Sequence, residues 1–333
     1  MTSTQQMQRP EISGNRTLAD RAFAKAALPS REIGAHKWGV GGVLVVAGGP
    51  SYIGAAALTA MAAGRSGAGI VNLVVPRGMM GPLATLVPEV AFVPLPDGDL
   101  SSLGRRLMDV LVERGKRCQA VVVGPGLGDD DYASAIVQRL LGLTAANRTS
   151  RLGFGAVDRE TADDERSALD WDIPILVDAD GLNTLAAMPE WWTQIPAGRL
   201  ILTPHVGEMS RLLEIEPDQV LADPVTVAEE ATRRFGQIVC LKAGYTIATD
   251  GERTIVSEDA PASLATAGTG DILAGSIGAF LAQGVAPLEA IGLATYVGGR
   301  AARRIEEQVG TLGLIASDLP PAIATELGDL ERT

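Results

Sequence analysis

The sequence predicts an α/β fold in which a mostly parallel central sheet carries helices on both faces. Three observations point there. Short β-branched, apolar runs alternate with longer helix-prone runs along most of the chain. The strand-like runs are almost continuously apolar, as strands covered on both faces must be. The chain is 333 residues long, 46% hydrophobic but only 4% aromatic, with 39 glycines. That is enough length for one large domain and suits tightly packed helices.

Taken in order, the elements justify the prediction. Residues 42–47 (GVLVVA) read as a strand ended by Gly48-Gly49-Pro50, and residues 54–63 as an Ala-rich helix. Residues 70–75 (IVNLVV) are a strand ended by Pro76, and residues 103–117 have helical periodicity. Residues 120–124 (AVVVG) lead into Pro125-Gly126-Leu127-Gly128. Residues 175–178 are a strand followed by a helix over 179–188; residues 200–203 are a further strand. A helix over 225–235 precedes a strand over 238–242. Asp250-Gly251 between the β-branched runs 246–249 and 253–256 reads as a hairpin turn. Helices are expected at 271–283, 288–307 and 319–327.

This organises the chain into a lead-in over residues 1–35, with a short helix near 18–26, and one domain over 36–330. The polar, aperiodic stretch 144–167 is expected to be a surface insertion. The net charge of −12 argues against a nucleic-acid or anionic-membrane binder. Cys118 and Cys240 lie in or beside apolar runs and read as buried thiols, with no metal-ligand spacing. Residues 1–21 are polar, and the apolar stretch 53–75 is broken by Arg65, Ser66 and Asn72. Neither reads as a signal core or a membrane span, so a cytoplasmic protein is expected.

The sharpest motif is Ala267-Gly268-Thr269-Gly270-Asp271 ahead of the apolar run Ile272-Leu273-Ala274-Gly275. A Gly-rich turn opening a helix aims backbone N–H groups and the positive end of the helix dipole at one point, which suits phosphate. Asp271 beside it could take a proton from an attacking hydroxyl. It could equally be a first-turn capping residue, and this pattern alone leaves both open. No Walker A spacing and no clean Gly-x-Gly-x-x-Gly after a strand occurs.

Ala267–Asp271 resembles the anion loop of ribokinase-like enzymes, which form a three-layer sandwich. The other motifs resemble, in order, the ADP-dependent NAD(P)H-hydrate dehydratase branch of that superfamily. They are His36-Lys37 with Gly41-Gly42-Val43-Leu44, then Gly48-Gly49 with Gly54-Ala55-Ala56, then Arg65-Ser66-Gly67-Ala68-Gly69. Gly124-Pro125-Gly126-Leu127-Gly128 and Asp178-Ala179-Asp180-Gly181-Leu182-Asn183 follow. Thr203-Pro204-His205-Val206-Gly207-Glu208 and Lys242-Ala243-Gly244-Tyr245-Thr246 complete the set.

The resemblance implies repair of hydrated NADH or NADPH, with ADP (or ATP) as phosphoryl donor and Mg²⁺ beside the phosphates. It assigns Ala55, Gly126, His205 and Asp271 to the hydrated substrate, with Asp271 also the catalytic base. It assigns Lys242, Ala243, Gly244, Tyr245, Thr246, Gly268, Thr269 and Gly270 to the nucleotide. No metal ligand is assigned. From the residues alone, His205 could be structural and Lys242 a solvated strand end; Asp178, Asp180 and Asn183 could be helix caps or could hold Mg²⁺ through its waters. The sequence departs from the family pattern at Val206 (usually Pro), at Ala267 (usually Gly, so one positive-φ option is lost) and over residues 257–263, where an Asn-Pro-x-Gly-Asn-like stretch is usual. The rival readings are a vitamin-precursor kinase of the same fold and a non-catalytic nucleotide-binding regulator. A homo-oligomer is the expected assembly.

Overall fold

A computed structural model describes residues 9–95, 100–144 and 167–332. Among them ten strands form one sheet. They are β1 (Arg16–Ala19), β2 (Gly42–Val46), β3 (Ile70–Pro76), β4 (Ala91–Leu95) and β5 (Ala120–Val123). β6 (Ile175–Val177), β7 (Leu200–Leu202), β8 (Ile238–Ala243), β9 (Tyr245–Thr249) and β10 (Thr254–Ser257) follow. Their order is β1-β10-β9-β8-β7-β6-β5-β2-β3-β4. Only β9 runs against its neighbours; every other adjacent pair is parallel.

Alternation along the strands divides the interior in two. In β2, Val43 and Val45 join one apolar cluster while Leu44 and Val46 join the other. Helices Arg21–Ala27, Ile53–Arg65, Thr269–Ala282, Pro287–Val309 and Leu319–Arg332 cover the first face. Helices Leu100–Gly115, Asp131–Leu140, Asp180–Ala186, Val206–Leu213, Pro217–Ala222 and Pro224–Phe235 cover the second. The result is the expected three-layer α/β/α arrangement. Among the described residues no helix is long and apolar enough to cross a membrane.

Most expected elements stand within two or three residues of their observed bounds, and the Asp250-Gly251 turn joins antiparallel β9 and β10. Three features differ. Residues 16–19 form an edge strand parallel to β10, although the sequence placed them in a lead-in with a helix starting near Leu18. Asp20 starts that helix instead: its side chain accepts from the Phe23 N–H at 2.9 Å. Phe23 then packs against Gly292, and Lys25 donates to the Leu330 carbonyl at 2.6 Å, so the lead-in is tied to the helical layer. Second, β4 and the helices Lys37–Val40, Met80–Leu86, Asp131–Leu140, Val206–Leu213 and Pro217–Ala222 were not anticipated. Third, Tyr245 belongs to the strand, and β8 and β9 form a hairpin through Gly244.

The expected insertion lies, but for its end residues, outside the described residues. Its flanks are close together. Thr144 donates from N–H and Oγ1 to Gln194 Oε1 at 3.0 and 3.1 Å, and a Cβ on Gly142 would lie 3.0 Å from the Ser167 Cβ.

Strand order reverses between β2 and β5, the switch point where α/β sheets open a crevice at their C-terminal ends. The loops leaving these strands are knitted together there: the Gly48 N–H donates to the Pro125 carbonyl at 2.8 Å, and the Gly124 N–H to the Val46 carbonyl at 3.1 Å.

Candidate active site

The C-terminal ends of β6, β7 and β8 bring three side chains together. Asp178 is 2% exposed. Its Oδ1 accepts from Lys242 Nζ and from Thr203 Oγ1, both at 2.8 Å. The Lys242 side chain remains 20% exposed and lines the cavity described below. The close approach of strand β5's loop to Asp178 requires glycine at 124. Its φ is +122°, and a Cβ there would sit 1.8 Å from the Asp178 carbonyl oxygen.

Asp178, Asp180 and Asn183 do not cap the helix Asp180–Ala186, contrary to that sequence reading. Its N-cap is Ala179, with no side-chain cap bond. Asp178 instead holds Lys242. Asp180 accepts from the Gly128 N–H at 2.8 Å and from Asn183 Nδ2 at 3.2 Å. Asn183 Oδ1 accepts from Arg211 Nε and Nη2 at 3.1 and 2.9 Å. Between the two aspartates Ala179 adopts φ 50°, ψ −117°. A non-glycine residue there is strained by roughly 1–3 kcal/mol, and the anchored carboxylates on either side hold it in place.

The glycine-rich turn does open a helix, Thr269–Ala282, with Gly268 at the N-cap (φ +91°) and no side-chain cap. Gly268 supplies the left-handed residue and Ala267 is not in a positive-φ conformation, so alanine at 267 introduces no strain. Thr269 ties the turn to itself: Oγ1 donates to the Leu264 and Thr266 carbonyls at 2.8 and 3.0 Å, and its N–H reaches the Thr266 carbonyl at 3.3 Å. Gly270 and Asp271, also in the first turn, have N–H groups without an intrahelical partner. A Cβ on Gly270 would lie 3.5 Å from Lys242 Nζ, so the turn and the ammonium face one point.

His205 resolves into both of its readings. It is the N-cap of Val206–Leu213: Nδ1 accepts from the Gly207 and Glu208 N–H groups at 3.0 and 3.2 Å, and Glu208 Oε2 accepts from the His205 N–H at 2.8 Å. Its ring is nevertheless 54% exposed and borders the cavity described below. Val206 in place of proline falls at the first helical position, where an N–H is an orphan in any case, so the exchange disturbs little.

Carboxylates crowd this site. Burial, then Asp178, push the Asp271 carboxyl up to about 7, with Lys242 opposing and Asp180 and Glu208 adding to the rise. Burial also pushes Glu208 up to about 7; Lys242 and the His205 N–H pull against it, and Asp178 with it. Burial disfavours the Lys242 ammonium, but Asp178 and Glu208 outweigh it, and its pKa stands above the ordinary value. The His205 pKa is lowered by burial and then by the Lys242 and Arg211 cations. Cys118 and Cys240, raised by burial to about 11 and about 12, are inert thiols.

A cavity of about 530 Å³ opens beside the turn. Of the expected nucleotide residues, Lys242, Gly244, Thr246, Thr269 and Gly270 line it, together with His205. The Ala243 side chain points into the core instead, by strand alternation. The stretch that departs from the family pattern forms one wall: Ser257 Oγ accepts from the Thr246 N–H at 2.9 Å, and Asp259 is held by Arg303 at 2.6 and 2.7 Å. Ala55 and Gly126 stand together on the other side; a Cβ on Gly126 would lie 2.6 Å from the Ala55 Cβ. One turn further along the same helix, Leu58 packs against Gly268. Among the described residues no three His, Cys, Asp or Glu side chains are grouped to hold a metal. With Asp178 and Asp180 engaged as described, the donor set suits a Mg²⁺ carried mainly by phosphate oxygens and water.

Glu208 was not singled out as a site residue from sequence, and Asp178 and Asp180 were expected only as helix caps or as water-mediated partners of Mg²⁺. The Glu three residues after His205 was the available signal, because it completes a capping box that fixes a helix start at the cavity edge.

A family model described as NAD(P)H-hydrate dehydratase matches residues 43–147 and 152–324. The chain is 34% identical over 320 residues to a bifunctional NAD(P)H-hydrate repair enzyme of Moorella thermoacetica, covering 96% of this chain and 55% of that protein. It is 35% identical over 318 residues to the protein of the same name in Salinibacter ruber, covering 93% and 53%. The chain thus spans about half the length of these relatives. Among solved structures, a ribokinase-like superfamily protein of Enterococcus faecalis superposes with TM-score 0.75 at 20% identity, covering 97% of this chain and 99% of that one. A Bacillus subtilis ADP/ATP-dependent NAD(P)H-hydrate dehydratase co-crystallized with ATP and Mg²⁺ gives TM-score 0.74 at 21% identity, covering 95% and 99%. The fold is ribokinase-like.

Proposed function

The chain belongs to the NAD(P)H-hydrate dehydratase family, and from that premise we propose that it dehydrates hydrated NADH and NADPH at the expense of ADP or ATP. One observation carries the reading: a carboxyl poised near neutrality, Asp271, sits in the first turn of a glycine-opened helix whose start adjoins the Lys242 ammonium at the edge of a cavity of about 530 Å³. A base with a pKa near the working pH combines availability with driving force for proton transfer.

The chemistry follows from these groups. Asp271 accepts the proton of the ring hydroxyl as that oxygen attacks the terminal phosphorus of ADP, and the P–O bond to AMP breaks. Lys242 and the first-turn amides hold the phosphoryl oxygens in line. The ring phosphoester then loses phosphate. Its C–O bond breaks with both electrons leaving on oxygen, pushed by the lone pair of the ring nitrogen, and loss of a proton from the neighbouring carbon restores the double bond. Hydrate and ADP thereby become dihydronicotinamide, AMP and phosphate. Mg²⁺ arriving on the phosphates would be held through water by Asp178 and Asp180 and would offset phosphate charge. Ala55, Gly126 and His205 bound the space for the hydrated ring.

The test is incubation with hydrated NADPH, Mg²⁺ and either donor. The expected result is return of the reduced nicotinamide absorbance with one phosphate released per ring restored. A stable phosphoester of an alcohol, with no return of absorbance, would identify a kinase. Tight nucleotide binding without turnover of any substrate would identify a regulator.

A further inference from the structure

The helix Pro287–Val309 runs 23 residues and carries three glycines in its interior, at 292, 298 and 299. A glycine inside a helix costs about 1 kcal/mol of stability against alanine. Gly292 has a packing reason: a Cβ there would run into the Phe23 ring. Gly299 is buried, and a Cβ on it would lie 3.9 Å from the Asp259 Cβ, an ordinary contact. Gly298 has no such neighbour. Its φ is not positive, and among the described residues nothing lies within 4 Å of where its Cβ would be. With Thr295 and Gly299 it borders the cavity of about 530 Å³, on the helix face that three- and four-residue spacing gives them. The space left by the missing side chain is therefore part of that cavity.

This space stands at a fixed remove from the Lys242 ammonium, because one wall of the cavity crosses the sheet strand by strand. Lys242 on β8 pairs with Thr246 on β9. The Thr246 N–H donates to Ser257 Oγ on β10 at 2.9 Å, and Ser257 Oγ donates in turn to the Asp259 carbonyl at 3.1 Å. Asp259 adjoins Gly299. Two strand spacings are about 10 Å, the reach of a ribose carrying two phosphates. The ends of the cavity also differ in chemistry. At the Lys242 end an ammonium meets the N–H groups of a helix start. At the other end the Asp259 carboxylate is taken up by Arg303 and the Ala260 N–H, and the Thr295 hydroxyl donates to the Gly292 carbonyl at 2.9 Å. Ala260, Pro261 and Ala262 continue the wall from Asp259, so this end is apolar.

We infer that Gly298 is a specificity-determining residue for the phosphoryl donor: the space it leaves seats the donor's base, which lies flat on the helix backbone while its phosphates reach Lys242. A planar aromatic base needs an apolar surface free of side chains, and a side chain at 298 would stand where the base lies. The inference rests on the nucleotide reading of this cavity and adds the residue that admits the base.

Gly298→Leu and Gly298→Ala test it, because both replacements favour the helix. In Gly298→Leu the calorimetric Kd for ADP and the KM for ADP should rise at least about tenfold. The Tm should stay level or rise, and the KM for hydrated NADPH at saturating ADP should stay within about twofold. Gly298→Ala puts one methyl in the seat; the Kd for ADP should rise about twofold to fivefold while Tm rises by about 1–2 °C. Unchanged ADP affinity in Gly298→Leu would overturn the inference. So would a loss of ADP affinity accompanied by a lower Tm in both variants, which would mark a packing role, or a raised KM for hydrated NADPH with ADP affinity intact, which would put the substrate in this seat. Should Gly298→Leu not fold, Gly298→Ala decides alone, and unchanged ADP affinity at a raised Tm would overturn the inference. A parent that binds ADP but turns over no hydrate would instead overturn the dehydratase reading, and the ADP affinities of the variants would still decide the role of Gly298.

Discussion

Replacing Asp271 by Asn should abolish turnover and make the protein more stable, and the stability gain should depend on pH. A carboxyl raised by burial and by Asp178 from 3.8 to about 7 carries a cost when ionised of at most about 4 kcal/mol. Asp271 is only partly buried, so water screens some of this and about 2 kcal/mol is the working expectation. The folded pKa lies above the unfolded one, so between about pH 4 and 7 the native chain binds the more protons. The parent therefore loses stability as pH rises through that window, and loses no more above it. The asparagine variant lacks this dependence, and Glu208, raised in the same direction, is common to both proteins and largely cancels. Melting both across pH 4 to 9 should show a gap that opens up to about pH 7, reaches a few degrees and then stays level. The parent's kcat/KM should climb to the same pH, and Asp271→Asn should cost at least about 10²-fold in rate with nucleotide affinity nearly intact. Near-parental activity, or a melting gap that does not vary with pH, would remove Asp271 from its assigned role.

Three further outcomes are expected. Lys242→Met leaves Asp178 buried without its cation; it should cost roughly 2–4 kcal/mol by denaturant unfolding and weaken ADP binding at least about tenfold by calorimetry. Gly124→Ala places a Cβ against the Asp178 carbonyl at positive φ; thermal melting should show a loss of roughly 3 kcal/mol or more, with activity lost alongside. Replacing residues 145–166 by a short Gly-Ser link should move Tm by no more than about 3 °C, since Gly142 and Ser167 already adjoin; insoluble protein would show that the segment is structural.

What could be read from the sequence was whatever is local. The turn ahead of Thr269–Ala282 was legible because a glycine cluster followed by an apolar run needs no partner to be recognised. β2, β3 and β5 were legible as short apolar runs dominated by β-branched residues. The Asp178–Lys242 pair was not, because the residues are 64 apart and meet only through the adjacency of β6, β7 and β8. β1 and β4 were hidden for another reason: β1 opens on Arg16-Thr17 and β4 carries Pro94, so neither reads as the apolar run that marked the equally short β5, β6 and β7, and pairing makes them strands. The helix after His205 was masked by an N-cap that is not Ser, Thr, Asp or Asn, although Glu208 stood at the right spacing.

Pro94 in β4 has a consequence for how copies of this protein can meet. β4 is the last strand on its side of the sheet and pairs only with β3. An edge strand offers unpaired N–H and C=O groups to any passing strand, and proline removes one donor from that row and stiffens the backbone around it. The opposite edge, β1, offers only four residues. Neither margin is a good template for continuing the sheet into a neighbour. Self-association through these edges is therefore disfavoured, and an assembly of several copies would have to be built from the helical faces and loops.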